Sequence, residues 1–147
     1  MRKSIKIQRM LWLNVIFFSF LTVSSFGRAV CLNGKISLDQ EFNRSDLIAR
    51  ATLVRERKII EFSDPGGVAA TRFDFFAKML YKGKGRRFSV WIDNTSSRIE
   101  FERNVEYVLF VKGEGRRAYI DACGNSGAVK DSAVAVEWLM RKNTASP

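Results

Sequence analysis

Apolar and polar positions alternate with a period of two along most of the chain's second half, and that alternation frames two turns written in nearly the same letters. Phe73, Phe75, Ala77 and Met79 alternate with Arg72, Asp74, Phe76 and Lys78, and beyond a turn Phe88, Val90 and Ile92 alternate with Ser89, Trp91 and Asp93. Further on, Val105, Tyr107, Leu109 and Val111 are answered across a second turn by Ala118, Ile120 and Ala122. A strand sends successive side chains to opposite faces, so each apolar set is expected to share one face. The turns are Lys82-Gly83-Lys84-Gly85-Arg86-Arg87 and Lys112-Gly113-Glu114-Gly115-Arg116-Arg117. Glycine adopts positive φ without steric cost, which makes each a hairpin turn between strands. The flanking strands are otherwise unlike, so the shared hexapeptide reads as two similar turns and not as an internal duplication.

Upstream, residues 39–46 are polar with single apolar anchors and read as a short helical or irregular lead-in. The next stretch is a first strand, with Leu47, Ala49, Ala51 and Leu53 on one face and Ile48, Thr52 and Val54 on the other. Ser63-Asp64-Pro65-Gly66-Gly67 is the clearest loop signal, predicting a long connection before a strand that begins near Thr71. Residues 94–97 form the next break, before Ile99 and Phe101. Near the carboxyl end, Asp131 or Ser132 is a capping candidate for a helix in which Val134 is spaced with Trp138, and Val136 with Leu139 and Met140. Arg141 and Lys142 suit its carboxyl-terminal dipole. Five strands followed by one helix predict an all-β antiparallel barrel, a form that leaves few free edges.

The amino terminus changes the compartment. Arg2, Lys3, Lys6 and Arg9 precede an apolar run at 11–23, followed by small residues Gly27 and Ala29. This is the build of a secretory signal peptide over residues 1–29, cleaved after Ala29 or after Gly27, with the mature domain at 30–147. An uncleaved anchor is the alternative, although the run is shorter than the ~20 apolar residues of a bilayer-spanning helix. The protein is therefore expected to be exported, periplasmic or extracellular. Its two cysteines, Cys31 and Cys123, then read as one structural disulfide, with two free buried thiols as the alternative. The net charge is +10; residues 1–29 hold five of the positive charges and no acid, which leaves +5 on the mature domain. That supports weak attraction to polyanions without being a nucleic-acid signature.

The order of these segments resembles the tissue inhibitor of metalloproteinases and netrin-module family, particularly its small bacterial members. Cys31 and Ser45-Asp46-Leu47-Ile48-Ala49-Arg50-Ala51 are similar to that family's amino-terminal cysteine segment and first strand. Phe73-Asp74-Phe75-Phe76-Ala77-Lys78-Met79-Leu80-Tyr81-Lys82-Gly83 resembles its second strand, Asn104-Val105-Glu106-Tyr107-Val108-Leu109-Phe110 its fourth, and Tyr119-Ile120-Asp121-Ala122-Cys123-Gly124 its fifth. The resemblance covers nearly all of the mature chain and implies a five-stranded OB-like barrel with Cys31 bonded to Cys123. The Cys-x-Cys with which the animal inhibitors chelate the protease zinc is absent. Ala29 stands at the first cysteine's position, and its partner near Arg98 or Ile99 is missing too. The resemblance thus implies a reduced scaffold without the inhibitory wedge, and metalloproteinase inhibition remains an analogy of fold.

The remaining chemistry is sparse. With no histidine and two cysteines, neither a common general base nor a four-ligand zinc site is available, and no cofactor is expected. Glu100 and Glu102 are read as solvated charges on one strand face, and the Gly-x-Gly pairs lack the setting of a nucleotide fingerprint. The candidate anion-binding set is Lys82, Lys84, Arg86, Arg87, Lys112, Arg116 and Arg117, with Trp91 or Tyr119 as stacking partners; plain solubility at exposed turns is the competing reading. Trp138 reads as core. The expected activity is that of a non-enzymatic binding module engaging a protein or an envelope polymer. The alternative is a polyanion or nucleic-acid binder using the basic turns.

Overall fold

The structure, a computed structural model, describes residue 31 and residues 34–61, 64–93 and 99–144. The signal segment at 1–29, with the cleavage candidates Gly27 and Ala29, and the break at 94–97 lie outside the described residues. Helix α1 (Leu38–Arg44) opens the domain, capped by Ser37, whose Oγ accepts the Gln40 N–H at 3.3 Å. Asp39 and Glu41 occupy its first turn and Arg44 its last, matching the helix dipole. The strands are β1 (Leu47–Glu61), β2 (Asp64–Lys82), β3 (Arg87–Asp93), β4 (Glu106–Lys112), β5 (Tyr119–Ile120) and β6 (Gly127–Ala128), and helix α2 (Ala133–Thr144) closes the domain.

Among the described residues the six strands form one antiparallel sheet in the order β3-β2-β1-β4-β5, with β6 also beside β4. The path is open. Between its ends, the Trp91 N–H of β3 donates to the Ala118 carbonyl next to β5 at 2.8 Å. The alternation sorts as expected: Ala49, Ala51, Leu53, Phe73, Phe75, Val90, Tyr107, Leu109 and Ile120 gather on one face. Phe101, from the irregular segment after β3, plugs this cluster, its ring 5.0 Å from those of Phe73, Phe75 and Tyr107 at steep angles. Edge-to-face pairs of this kind add about 0.5–1.5 kcal/mol each beyond burial. The opposite face, with Ile48, Val108 and Phe110, is covered by Ala135, Val136 and Leu139 of α2 and by Leu38 and Phe42 of α1. Phe42 meets Trp138 edge-on at 5.6 Å, and Trp138 packs against this layer while remaining partly exposed.

Several expectations are corrected. Pro65-Gly66-Gly67 does not form the connection between the strands: β1 and β2 run as one long hairpin, with Ile60 opposite Val68 and Glu61 opposite Asp64. The three residues between Asp64 and Val68 are absorbed as an irregularity inside β2, where a missing N–H and free backbone torsions are tolerated. Met79 is exposed instead of sharing the face of Phe73, because Arg50 pairs with Met79 and Ala51 with Ala77, leaving Lys78 as a bulge that reverses the phase. Ala122 lies beyond the two-residue β5 and is exposed, and Val134 and Met140 point to solvent from α2. Glu100 and Glu102 sit outside any strand. The short β6 has no counterpart in the sequence reading.

Two long-range ties hold the amino-terminal segment to the far end of the sheet. Cys31 and Cys123 form a disulfide with Cα atoms 5.6 Å apart across 92 positions. Glu41, fully buried on α1, accepts the Asn125 N–H at 2.6 Å and its Nδ2–H at 2.7 Å through one oxygen, while Nδ2 also donates to the Ile36 carbonyl at 2.8 Å. Closing a loop of this length stabilises by about 4–5 kcal/mol in the chain-entropy picture. The native protein is therefore expected to show no titratable thiol, and Cys123→Ser to lower the unfolding free energy by about 2–5 kcal/mol in urea titrations. Two reactive thiols in the folded, unreduced protein would contradict the bond.

Candidate anion-binding cleft

The two Lys-Gly-x-Gly-Arg-Arg turns lie side by side because one residue between α1 and β1 engages both. Asp46 donates its N–H to the Val111 carbonyl at 2.9 Å and accepts the Gly113 N–H on its carboxylate at 2.7 Å. Its carbonyl lies against Gly83, 2.7 Å from where a Cβ would stand. Gly83 (φ +87) and Gly113 (φ +76) both hold left-handed backbone, and a Cβ on Gly113 would sit 2.5 Å from the Arg117 carbonyl oxygen. Each leading glycine is thus required twice over, by torsion and by space. The Ala77 N–H to Arg86 carbonyl bond, 2.8 Å, closes the first turn; the second folds as a short 3-10 turn, Gly115–Arg117.

The lysine that opens each motif is consumed by structure. Lys82 Nζ donates to the carbonyls of Phe42 at 2.8 Å and Asn43 at 3.2 Å, at the carboxyl end of α1, and lies 5.2 Å from the Phe42 ring centroid. Lys112, its side chain only 13% exposed, pairs with Asp121 at 3.1 Å. Neither lysine lines the cleft, and their partners lie 40, 39 and 9 positions away. Arg86 and Arg117 are exposed beside the cleft without lining it.

Lys84 and Arg87 of the first turn and Arg116 of the second line a common cleft of about 640 Å³. Arg72 and Trp91 form part of its wall, and neither the arginine nor its supports were in the candidate set. Arg72 donates Nε–H to Asp74 at 2.7 Å and Nη2–H to Ser89 Oγ at 3.0 Å, while Ser89 donates to Asp74 at 2.6 Å. Its guanidinium lies 5.8 Å from the Trp91 ring centroid. A strand alternation in which Arg72, Asp74 and Ser89 share the polar face was the available signal. The anchored fork is a preset donor for an oxyanion; Lys84, Arg87 and Arg116 are exposed and adjustable. Glu114 also borders the cleft, so its positive field is partly offset.

Three supporting carboxylates are held below their ordinary range. Burial pushes the Asp74 carboxyl up, but the hydrogen bonds from Ser89 and Arg72 outweigh it. Glu106 is lowered chiefly by its two-pronged bond to Arg50, with contacts at 2.9 and 3.2 Å. Asp121 is lowered first by the Cys123 N–H at 3.0 Å and then by Lys112. Among the described residues, no three His, Cys, Asp or Glu side chains gather into a metal site. No protein-family model matches the chain, and no curated protein sequence matches it.

A depressed folded pKa contributes stability above the unfolded value that is lost as pH falls through the folded one. All three shifts have that sign, so stability is expected to be level above about pH 5 and to decline from about pH 4 downward. Urea midpoints measured across this range check it, and the double change Asp74→Asn, Asp121→Asn should flatten the acid limb while lowering the plateau.

Proposed function

We propose that this chain is an exported, non-enzymatic binding module whose sheet forms an OB-like barrel of the metalloproteinase-inhibitor and netrin type, and that it binds an anionic ligand in the cleft between its two basic turns. The observation that carries the reading is the convergence of Lys84, Arg87 and Arg116, from turns about thirty positions apart in sequence, on one cavity beside an anchored Arg72. The sheet order brings both turns to the end of β1 where Asp46 stands, and four cations, Arg72, Lys84, Arg87 and Arg116, gather there against two acids, Asp46 and Glu114. This moves the weight from a protein partner toward an acidic polymer of the cell envelope. The hydrogen bond from Trp91 to Ala118 supports barrel closure, since it joins the two ends of the sheet path. The Cys31–Cys123 bond supports an oxidising compartment.

Replacing Arg86, Arg87, Arg116 and Arg117 with Ser leaves both glycine pairs intact and is expected to change stability by no more than about 0.5 kcal/mol. Retention on an immobilised acidic polymer should then collapse. The slope of log affinity against log salt should flatten by about one for each anion contact removed. Unchanged retention by the folded variant, together with capture of a protein partner insensitive to salt, would return the assignment to a protein-binding module.

A further inference from the structure

A second cavity, of about 560 Å³, adjoins the first. The two share Arg72, Arg87, Phe88 and Ser89 as a common wall, and the second extends past Asp74 to Arg55 on β1. The cations are therefore distributed over two adjoining cavities and are not confined to the first. Lys84 and Arg116 belong to the first cavity alone, Arg72 and Arg87 to both, and Arg55 to the second alone. Among the described residues the one acid that lines the second cavity, Asp74, is already engaged by Arg72 and Ser89, with Arg57 at 3.7 Å. A small anion would satisfy one of these cations and leave the others solvated; a chain with a negative charge on successive units meets them in turn.

Resting on the function proposed above, we infer that the two cavities form one groove for a linear acidic polysaccharide, running from Arg116 past Arg87 and Arg72 to Arg55. The aromatic surfaces favour a sugar polymer over single-stranded nucleic acid. Bases bind such grooves by stacking on successive open aromatic faces. Here the Trp91 ring already carries the Arg72 guanidinium, and Phe88 is stacked on Phe75 at 5.6 Å with 19° between planes. What stays open is the guanidinium groups of Arg55, Arg87 and Arg116, suited to carboxylate or sulfate, and one exposed ring, Phe76 in the second cavity, on which a pyranose C–H face can rest but which offers no succession of stacking faces.

The test compares a galacturonate dimer, a galacturonate dodecamer and an oligothymidylate of equal charge by titration calorimetry. Each is added to the wild-type protein and to Arg55→Ser and Arg116→Ser, with folding checked by circular dichroism. The dodecamer is expected to bind at least about tenfold tighter than the dimer, and the oligothymidylate weaker than the dodecamer. A longer chain also gains affinity by offering more registers, so the deciding readout is Arg55→Ser. It should weaken the dodecamer by a several-fold larger factor than the dimer, because only the long chain must reach Arg55, whereas Arg116→Ser should weaken both. Equal loss of dimer and dodecamer in Arg55→Ser, or no loss of either, overturns the groove and leaves a single-anion cleft. Tighter binding of oligothymidylate overturns the choice of polymer, and absence of binding by every anion removes the groove and the anion-binding function together.

Discussion

Burial of β4 on both faces is the constraint on which the molecule depends. Tyr107, Leu109 and Val111 point into the aromatic cluster under the curl of the sheet, while Val108 and Phe110 point into the layer made by the two helices. Removing five consecutive side chains from water contributes on the order of 1.5–3 kcal/mol for each large apolar one. The same arrangement forces the strand's polar backbone to find partners on both edges. β1 supplies one edge, and the other is divided between β5 at Val111 and Lys112 and β6 at Tyr107 and Val108. Between these two short strands, Ser126 Oγ accepts the Phe110 N–H at 2.8 Å. A strand with no exposed face presents no side chains to solvent, and the basic residues lie instead in the turn that follows it and in the turn between β2 and β3.

The cleft is consequently preorganised at its base and adjustable at its rim. Asp46 holds the two turns together through backbone contacts, the leading lysines lock each turn to its own support, and Arg72 is fixed by Asp74 and Ser89. On the proposed function, only Lys84, Arg87 and Arg116 would have to be ordered by a ligand. The conformational cost of binding is then confined to those three side chains, on the order of 0.5–1.5 kcal/mol each.

Much of this was legible wherever a strand buries one face only. Ala49 to Leu53, Phe73 to Ala77, and Phe88 to Ile92 sort correctly, because a period of two leaves a clear mark when one side faces water. The reading fails where the backbone departs from that period, as at the Lys78 bulge that turns Met79 outward, and where Pro65-Gly66-Gly67 is accommodated within a strand. For the cleft, the repeated hexapeptide singled out two turns, and the structure places Lys84, Arg87 and Arg116 of those turns on one cavity. What it could not reveal were tertiary partners. Lys82 and Lys112 look as free in sequence as Lys84, and they differ only because the α1 carbonyls and Asp121 arrive from elsewhere. Asp46 carries no motif at all; its role exists only once two turns are brought beside it.

The bond between Cys31 and Cys123 has a mechanical meaning besides its thermodynamic one. Strands β1 to β5 all lie inside the loop that it closes, whereas β6 and α2 lie outside. Tension applied between residue 31 and α2 travels across the sulfur bridge and bypasses the chain from 32 to 122. Only the segment carrying β6 and α2 bears such a load. The two basic turns, and the cavity they enclose, stay outside the path of the force.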